Sequence, residues 1–357
     1  MVILGNDITK VKEINIELIK SALKALGNAT KAELAEHTGI SVATCGKILN
    51  DLCQTGEAYE VSVLSGGYGR PAKSYAYNAQ FALVACVYLV TDRNTIEVSS
   101  AVGNLFGEIL EENTRGVSEV TYETIEEAIA RLLDAHSNIQ SVVVGIPGYL
   151  TKDVIAMCNL TALIGIPLKE RLQMHFPNLK LRVENDMNAS AYGFYQNNGA
   201  DTTVGFLYAP DGALTGAPEQ KTISRDEEDL FKWGVTVGAG FVSDGHILHG
   251  FSGFAGEVAF LPVNRRKNDP FVSVQSIINI IGCIVPILNP EVIALSGGFF
   301  TEQNFVDIER GCSGIIAPQH MPKIIRRADF HRDYISGLIY LALERLSCEI
   351  ALVKKGI

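Results

Sequence analysis

Apolar residues recur at Ile16, Ile19, Leu23 and Leu26, the spacing of one helix face, and Gly27-Asn28 closes that run. Thr30-Lys-Ala-Glu33 then reads as a capping box, in which the threonine hydroxyl accepts from a first-turn amide and the glutamate reaches back to the cap. The pattern predicts a short helix through His37, a tight turn at Thr38-Gly39-Ile40, and a third helix capped by Ser41. Along that helix Cys45, Ile48, Leu49 and Leu52 share one face, and Val42, Ala43, Gly46, Lys47 and Asn50 fall on the other. After Gly56 the period shortens to alternation over 58–63. The glycine-rich run 65–73 and then Ser74-Tyr-Ala-Tyr77 follow, which predicts a hairpin with a long loop.

Past Ala79 the pattern changes to strand, hairpin, strand and helix. Phe81 to Val90 and Thr95 to Val102 read as strands around a turn at 92–94, Thr121 to Ala135 as a helix, and Ser141-Val-Val-Val-Gly145 as a buried strand. Ile146-Pro147-Gly148 closes at the end of that strand, where α/β folds bind ligands. Leu181-Arg-Val-Glu184 is another strand, delivering Asn185 and Asp186 into a helix start. Gly234 to Val242 is a glycine-rich strand, and Glu291 to Gly298 is a strand running into a double glycine. Ile277 to Leu288 is apolar but broken by Asn279, Gly282 and Pro286. It falls short of the roughly 20 residues of a bilayer span and predicts a buried helix and a turn. Residues 209–229 read as a solvated loop between two strands, acidic at its end, with an effector lid or subunit contact as the minority reading.

Length and composition then bound the class. A chain of 357 residues is expected to hold two or three domains, and 47% hydrophobic with 20% charged residues describes a soluble globular protein. The opening Met1-Val-Ile-Leu-Gly-Asn6 is too short an apolar run for a signal peptide. Seven cysteines without a C-x-x-C pair argue against a disulfide framework or a cysteine-based zinc site, and for reduced thiols in a cytoplasmic protein. The net charge of −10 is unevenly placed. Residues 1–79 carry 8 Lys/Arg and 8 Asp/Glu, so the whole deficit lies beyond them. A neutral module can still bind DNA if its few cations face one groove, so the charge permits DNA binding without demanding it. The residues suited to double-stranded DNA are Ser41, Val42, Thr44, Gly46, Lys47 and Asn50 for a major groove, with Arg70 and Lys73 on the hairpin loop for a minor groove. A module used for protein contacts is the alternative.

The ordered pieces resemble the ROK family of repressors, uncharacterised frames and kinases. They are Val144-Gly-Ile-Pro-Gly148, Asn159-Leu160 with Gly165-Ile-Pro-Leu168, Val183-Glu-Asn-Asp-Met-Asn-Ala189, Gly238-Ala-Gly240 with Asp244-Gly245, Gly253-Phe-Ala-Gly-Glu-Val258 with Leu261-Pro-Val263, and Leu288-Asn-Pro-Glu-Val-Ile293 with Gly297-Gly298. Ala32-Glu-Leu-Ala35 and Gly69-Arg-Pro-Ala72 resemble the family's repressor branch, that of the N-acetylglucosamine and xylose repressors. The resemblance implies an α+β chain: a winged helix-turn-helix at 1–79, then an actin-like (ribonuclease H-like, sugar-kinase type) ATPase fold with lobes at 80–190 and 191–357. It implies a sugar-binding cleft holding Gly148, Asn159, Asn185, Asp186 and Glu257, with Asp186 at the kinases' general-base position. Taken singly, Asp186 also reads as a helix N-cap, Asn159 and Asn185 as turn residues, and Glu257 as a surface acid.

Departures from the family decide the functional expectation. Where the kinases carry an Asp-x-Gly-Gly-Thr phosphate loop this chain reads Thr91-Asp-Arg-Asn-Thr95, and Gly-Thr-Gly-x-Gly becomes Gly234-Val-Thr-Val-Gly238. Phosphoryl transfer depends on positioning and charge stabilisation, so losing both cradles predicts loss of kinase activity. The zinc-site histidine three residues after the pocket glutamate is Phe260, and Asn264-Arg-Arg-Lys-Asn-Asp-Pro270 stands where the cysteines belong. The expectation is a sugar-controlled transcriptional regulator, a homodimer or higher homo-oligomer and a repressor by resemblance, with no cofactor, no metal and no membrane partner. An active sugar kinase with an appended DNA-binding domain and a ligand-independent regulator with a scaffold domain are the alternatives.

Overall fold

A computed structural model describes residues 7–61, 72–92, 95–158, 160–199, 202–212, 237–261 and 272–346. They form two compact units. One holds the described residues up to Leu83 together with Asn104–Glu108, and the other holds Val84–Gly103 and Ile109–Leu346.

In the first unit three helices, α1 (Asp7–Leu26), α2 (Lys31–Thr38) and α3 (Val42–Thr55), alternate with β1 (Asn28–Thr30), β2 (Ala58–Val61) and β3 (Ser74–Tyr77). The capping box forms: Thr30 N–H donates to Glu33 Oε2 at 2.7 Å and Glu33 N–H donates to Thr30 Oγ1 at 3.3 Å. Gly39 ends α2 at φ 72°, the left-handed turn that a residue without Cβ adopts at little cost. Ser41 Oγ accepts from Thr44 N–H at 3.2 Å and starts α3. Ile19, Leu23, Leu34, Leu49 and Tyr75 are fully buried between these elements. Residues 28–30, read from sequence as a helix end and a cap, also pair antiparallel with β3, giving a three-stranded sheet in the order β1-β3-β2. That strand is invisible locally because its partner lies 46 residues along the chain. The turn Asn104–Glu108 belongs to this unit as well, with Leu105 N–H bonded to Ala79 O and the Phe106 ring against Tyr77.

The second unit contains two five-stranded sheets of matching plan. In the first, β4 (Leu83–Asp92) is central, β5 (Thr95–Gly103) and β6 (Ile109–Val117) continue it antiparallel on one side, and β7 (Ile139–Ile146) and β10 (Lys180–Asn185) lie on the other. In the second, β11 (Val204–Tyr208) takes the central place, with β12 (Gly238–Ser243) and β13 (His246–Ile247) antiparallel on one side and β14 (Val292–Ser296) and β15 (Lys323–Arg327) parallel on the other. A small ribbon of β8 (Gly148–Thr151) and β9 (Val154–Cys158) extends from the end of β7. Helices α4 (Tyr122–Ala135), α5 (Leu168–His175), α6 (Asp186–Asn198), α7 (Val274–Leu288), α8 (Glu302–Ser313) and α9 (Phe330–Glu344) cover the sheets.

Two of these helices cross over. Helix α6, buried on all sides from Met187 to Phe194, follows the first sheet yet packs on β12, where Gly238 and Gly240 leave room for Met187. The last described helix, α9, returns to the first sheet, with the Tyr334 hydroxyl against Gly145 and Ile339 against Gly103. They meet at Gly193 and Gly337, where an added Cβ would stand 1.9 Å from Asp333 O and 1.8 Å from Ala189 O. The core around them joins Val84 and Tyr88 of the first sheet and Phe206 of the second with Phe194 of α6 and Leu338 of α9. A linear cut between residues 190 and 191 therefore passes through α6. No helix among the described residues is long and apolar enough to cross a membrane.

Candidate functional site

In the second unit the parallel strands β7 and β10 end side by side, Ile146 opposite Asn185. Gly148 follows at φ 132°, and a Cβ there would lie 2.0 Å from Met157 O, so only glycine fits the turn. Asn185 caps α6: its Oδ1 accepts from Asn188 N–H at 2.9 Å, and its Nδ2 donates to Gly148 O at 2.7 Å and to Asp186 Oδ1 at 3.0 Å. Both amide hydrogens of Asn185 are thus engaged within the protein. Its evident role is to hold the Gly148 turn and Asp186 in place, and one lone pair on Oδ1 is what remains for a ligand.

Asp186 is half-buried and accepts from Met187 N–H at 2.8 Å. Burial pushes its carboxyl up to about 7 against the pull of these hydrogen bonds, and the charge of Glu257 adds to the rise. Glu257, also half-buried, is pushed up to about 7 by burial. The loop bearing it is brought to the start of α6 by three close backbone approaches. An added Cβ would stand 1.9 Å from Leu150 O at Gly253, 2.3 Å from Ala239 O at Gly256, and 2.2 Å from Met187 O at Gly240. Gly148, Asn185, Asp186 and Glu257 are thereby gathered at one place, with the Tyr149 phenol raised by burial and by Glu257. Asn159 lies outside the described residues.

Beside Glu257 runs an apolar groove of about 800 Å³ lined by Phe254, Phe260, Leu261, Ile284 and Ile287. Phe260 packs edge-on against Phe254 at 4.9 Å between centroids, and Phe254 against Tyr149 at 5.5 Å. A phenyl ring offers a metal no lone pair, so these residues do not fit the family's zinc. Residues 264–270 lie outside the described set, and no group of three His, Cys, Asp or Glu suited to a metal occurs among the described residues. Of the phosphate-loop positions, 93–94 and 234–236 are likewise outside it. Asp92 pairs with Thr95 across a two-residue connection, and the absent Cβ of Gly298 leaves the space that the Asp211 carboxylate approaches, 2.8 Å from where that atom would be.

Sequence reasoning missed Glu184 and His249. The Glu184 side chain is only 3% exposed and accepts from Arg182 Nη2 at 2.7 Å, Asn185 N–H at 3.1 Å, Asn188 Nδ2 at 3.1 Å and His249 Nε2 at 3.1 Å. Burial alone would raise its carboxyl, but His249 and the Arg182 charge outweigh that and hold it below the usual value. Tyr334 was missed too: its buried hydroxyl has no hydrogen-bond partner among the described residues.

In the first unit Ser41, Val42, Lys47 and Asn50 are exposed along α3, with Val42 at 52%. Thr44 is half-buried, its hydroxyl 2.8 Å from Ser41 Oγ in the cap. Gly46 corrects the predicted groove-facing set: it is buried, and the Lys31 side chain lies across it, with Nζ 3.4 Å from where a Cβ would be. At 100° per residue Gly46 sits about 60° from Leu49 on the helix, inside the packed arc. Lys73 pairs with Glu60 at 2.8 Å, and Arg70 lies outside the described residues.

Residues 95–210 match the family model described as the ROK family. Over that stretch the chain is similar to the ROK family. Relatives of this chain include the xylose repressor of Bacillus spizizenii, 23% identical over 267 residues that cover 72% of the chain and 62% of that protein. The chain thus spans about 62% of the length of that curated relative. Among solved structures, a ROK family transcriptional regulator, homologue of the E. coli MLC protein, superposes with a TM-score of 0.64 at 16% identity, over 94% of this chain and 97% of that one. A ROK family glucokinase from Streptomyces griseus, in complex with glucose and AMPPNP, gives 0.52 at 14% identity, over 74% and 100%. At such identities the likeness is one of fold, and the second unit has the two-lobed, actin-like sugar-kinase fold.

Proposed function

We propose that this chain is a cytoplasmic, homodimeric DNA-binding regulator, a repressor of carbohydrate-metabolism genes controlled by a sugar or sugar derivative in a degenerate sugar-kinase cleft. One observation carries the reading. The regulator structure matches 94% of the chain, whereas the glucokinase, itself matched throughout, accounts for only 74%. The capped helix–turn–helix of α2 and α3 presents Ser41, Val42, Lys47 and Asn50, and the exposed face of α3 suits a major groove. Arg70 and Lys73 on the hairpin are assigned to the minor groove. Because the unit is neutral, two copies reading spaced half-sites supply affinity that one lacks. Sugar hydroxyls bound by Asp186 and Glu257 shift the DNA-binding equilibrium by favouring one arrangement of the protein over the other.

The test is fluorescence anisotropy on double-stranded DNA from the promoter neighbourhood of the chain's own gene, with Lys47→Ala and Arg70→Ala. Sequence-preferring binding that weakens in both variants and is released by one member of a sugar panel is the expected result. Binding without sequence preference at modest salt refutes the regulator reading.

Asp186 favours a second reading, an active kinase, because a carboxyl near 7 suits a general base. The filled phosphate-loop positions speak against it. Sugar-dependent release of ADP from ATP, abolished in Asp186→Asn, would decide for the kinase.

A further inference from the structure

We infer that His249 is the positioning residue of the effector pocket, a latch that holds the Glu257 loop onto the ledge formed by Glu184, Asn185 and Asp186. The inference deepens the sugar-controlled reading proposed above and rests on it.

The two halves of the pocket come from distant parts of the chain. The ledge is the end of β10 and the start of α6, and the loop runs from the end of β13 to Glu257. At the neck of that loop Leu248 N–H donates to Phe241 O at 2.9 Å and Ala255 N–H donates to His249 O at 3.3 Å, which closes 249–255 on itself. The His249 ring leaves this neck and meets both Glu184 oxygens at 3.1 Å. A carboxylate accepts only from a protonated nitrogen, so Nε2 carries the hydrogen. Glu184 cannot shift to follow the loop: Arg182, Asn185 N–H and Asn188 hold it, and Arg182 is tied to Glu344 of α9 at 3.1 Å. The same carboxylate thus receives the amide of Asn185, one residue before Asp186, and the ring that sets the loop bearing Glu257. Farther out, the loop is held by Thr151 Oγ1 donating to Ser252 O at 2.9 Å and by the Gly253–Leu150 approach. His249 is therefore the side-chain tie to the ledge itself. With Phe260 in place of the family's histidine, it is also the imidazole nearest Glu257 in sequence.

The experiment compares full-length parent, His249→Ala and His249→Gln, since a glutamine amide can still donate to Glu184. Hydrogen exchange is read without ligand over residues 250–258, with β14 as the internal reference. Thermal-shift titrations with D-xylose, D-glucose and N-acetylglucosamine read the pocket. His249→Ala is expected to raise exchange in 250–258 at least tenfold while β14 is unchanged, and to weaken the response to the active sugar at least tenfold. His249→Gln is expected to recover most of both. Unchanged exchange in His249→Ala overturns the latch, and so does faster exchange with undiminished sugar affinity. If the parent answers no sugar while the exchange result holds, the latch stands and the sugar-sensor reading falls.

Discussion

Replacing Asp186 by asparagine keeps the shape of the side chain and its acceptor for Met187 N–H, and removes its titration. The carboxyl moves from 3.8 to about 7 on folding, chiefly by burial. Each tenfold in proton affinity is worth about 1.4 kcal/mol, which sets a ceiling of about 4 kcal/mol. Solvent reaches the half-buried carboxyl and screens part of this, so about 2 kcal/mol is expected. The sign follows from which state binds the proton. The folded protein holds it up to about pH 7, the unfolded chain releases it near pH 4, and stability falls as pH rises between the two. Asp186→Asn should therefore be more stable than the parent at pH 8 by about 2 kcal/mol and nearly equal to it at pH 4. Urea unfolding followed by far-UV circular dichroism at both pH values reads the difference as a displaced midpoint. A loss of stability at pH 8, or an equal gain at both pH values, would refute the reasoning. The same variant should lose its sugar response, since a ligand site commonly holds groups the fold would rather discard.

Other substitutions test the packing. Gly193→Ala and Gly337→Ala force a methyl into backbone oxygen at 1.9 and 1.8 Å, so the helix-propensity gain of about 1 kcal/mol is overwhelmed and urea midpoints should fall by 2 kcal/mol or more in equivalent. Gly46→Ala meets only the movable end of Lys31, so it should stabilise by up to about 1 kcal/mol and leave DNA anisotropy unchanged. Asp333 is fully buried and accepts from Arg327 Nε and Nη2 at 2.8 and 2.7 Å, and Asp333→Ala should cost about 3–5 kcal/mol in urea melts. Tyr334→Phe removes a buried hydroxyl that lacks a partner among the described residues, and its thermal midpoint should be unchanged or slightly higher.

Features whose physics closes within a few residues were legible in the sequence. The Thr30–Glu33 box and the Ser41 cap depend on partners three residues away, and both form as read. The strand through Ser141–Gly145 and the Asn185-Asp186 helix start follow from apolar runs and capping chemistry that need no distant neighbour. Ordered motifs also pointed to Asp186 and Glu257. Only the folded chain shows the glycine contacts at 240, 253 and 256 that bring their loop and ledge together.

What stayed hidden depends on partners far along the chain. Asn28–Thr30 is a strand only because β3 lies against it, and Gly46 is buried only because Lys31 crosses it. Asn185 reads as a ligand group until Gly148 O, 37 residues earlier, engages its amide. Glu184 and His249, 65 residues apart, carry no local signal of their contact. The exchange of α6 and α9 between the two sheets likewise has no local pattern, because a run of small and apolar side chains records burial and not which sheet supplies it. Sequence determined the locally closed elements and the chemical types at the site. Tertiary structure decided which residues meet, because burial and pairing are properties of neighbours that the chain brings from a distance.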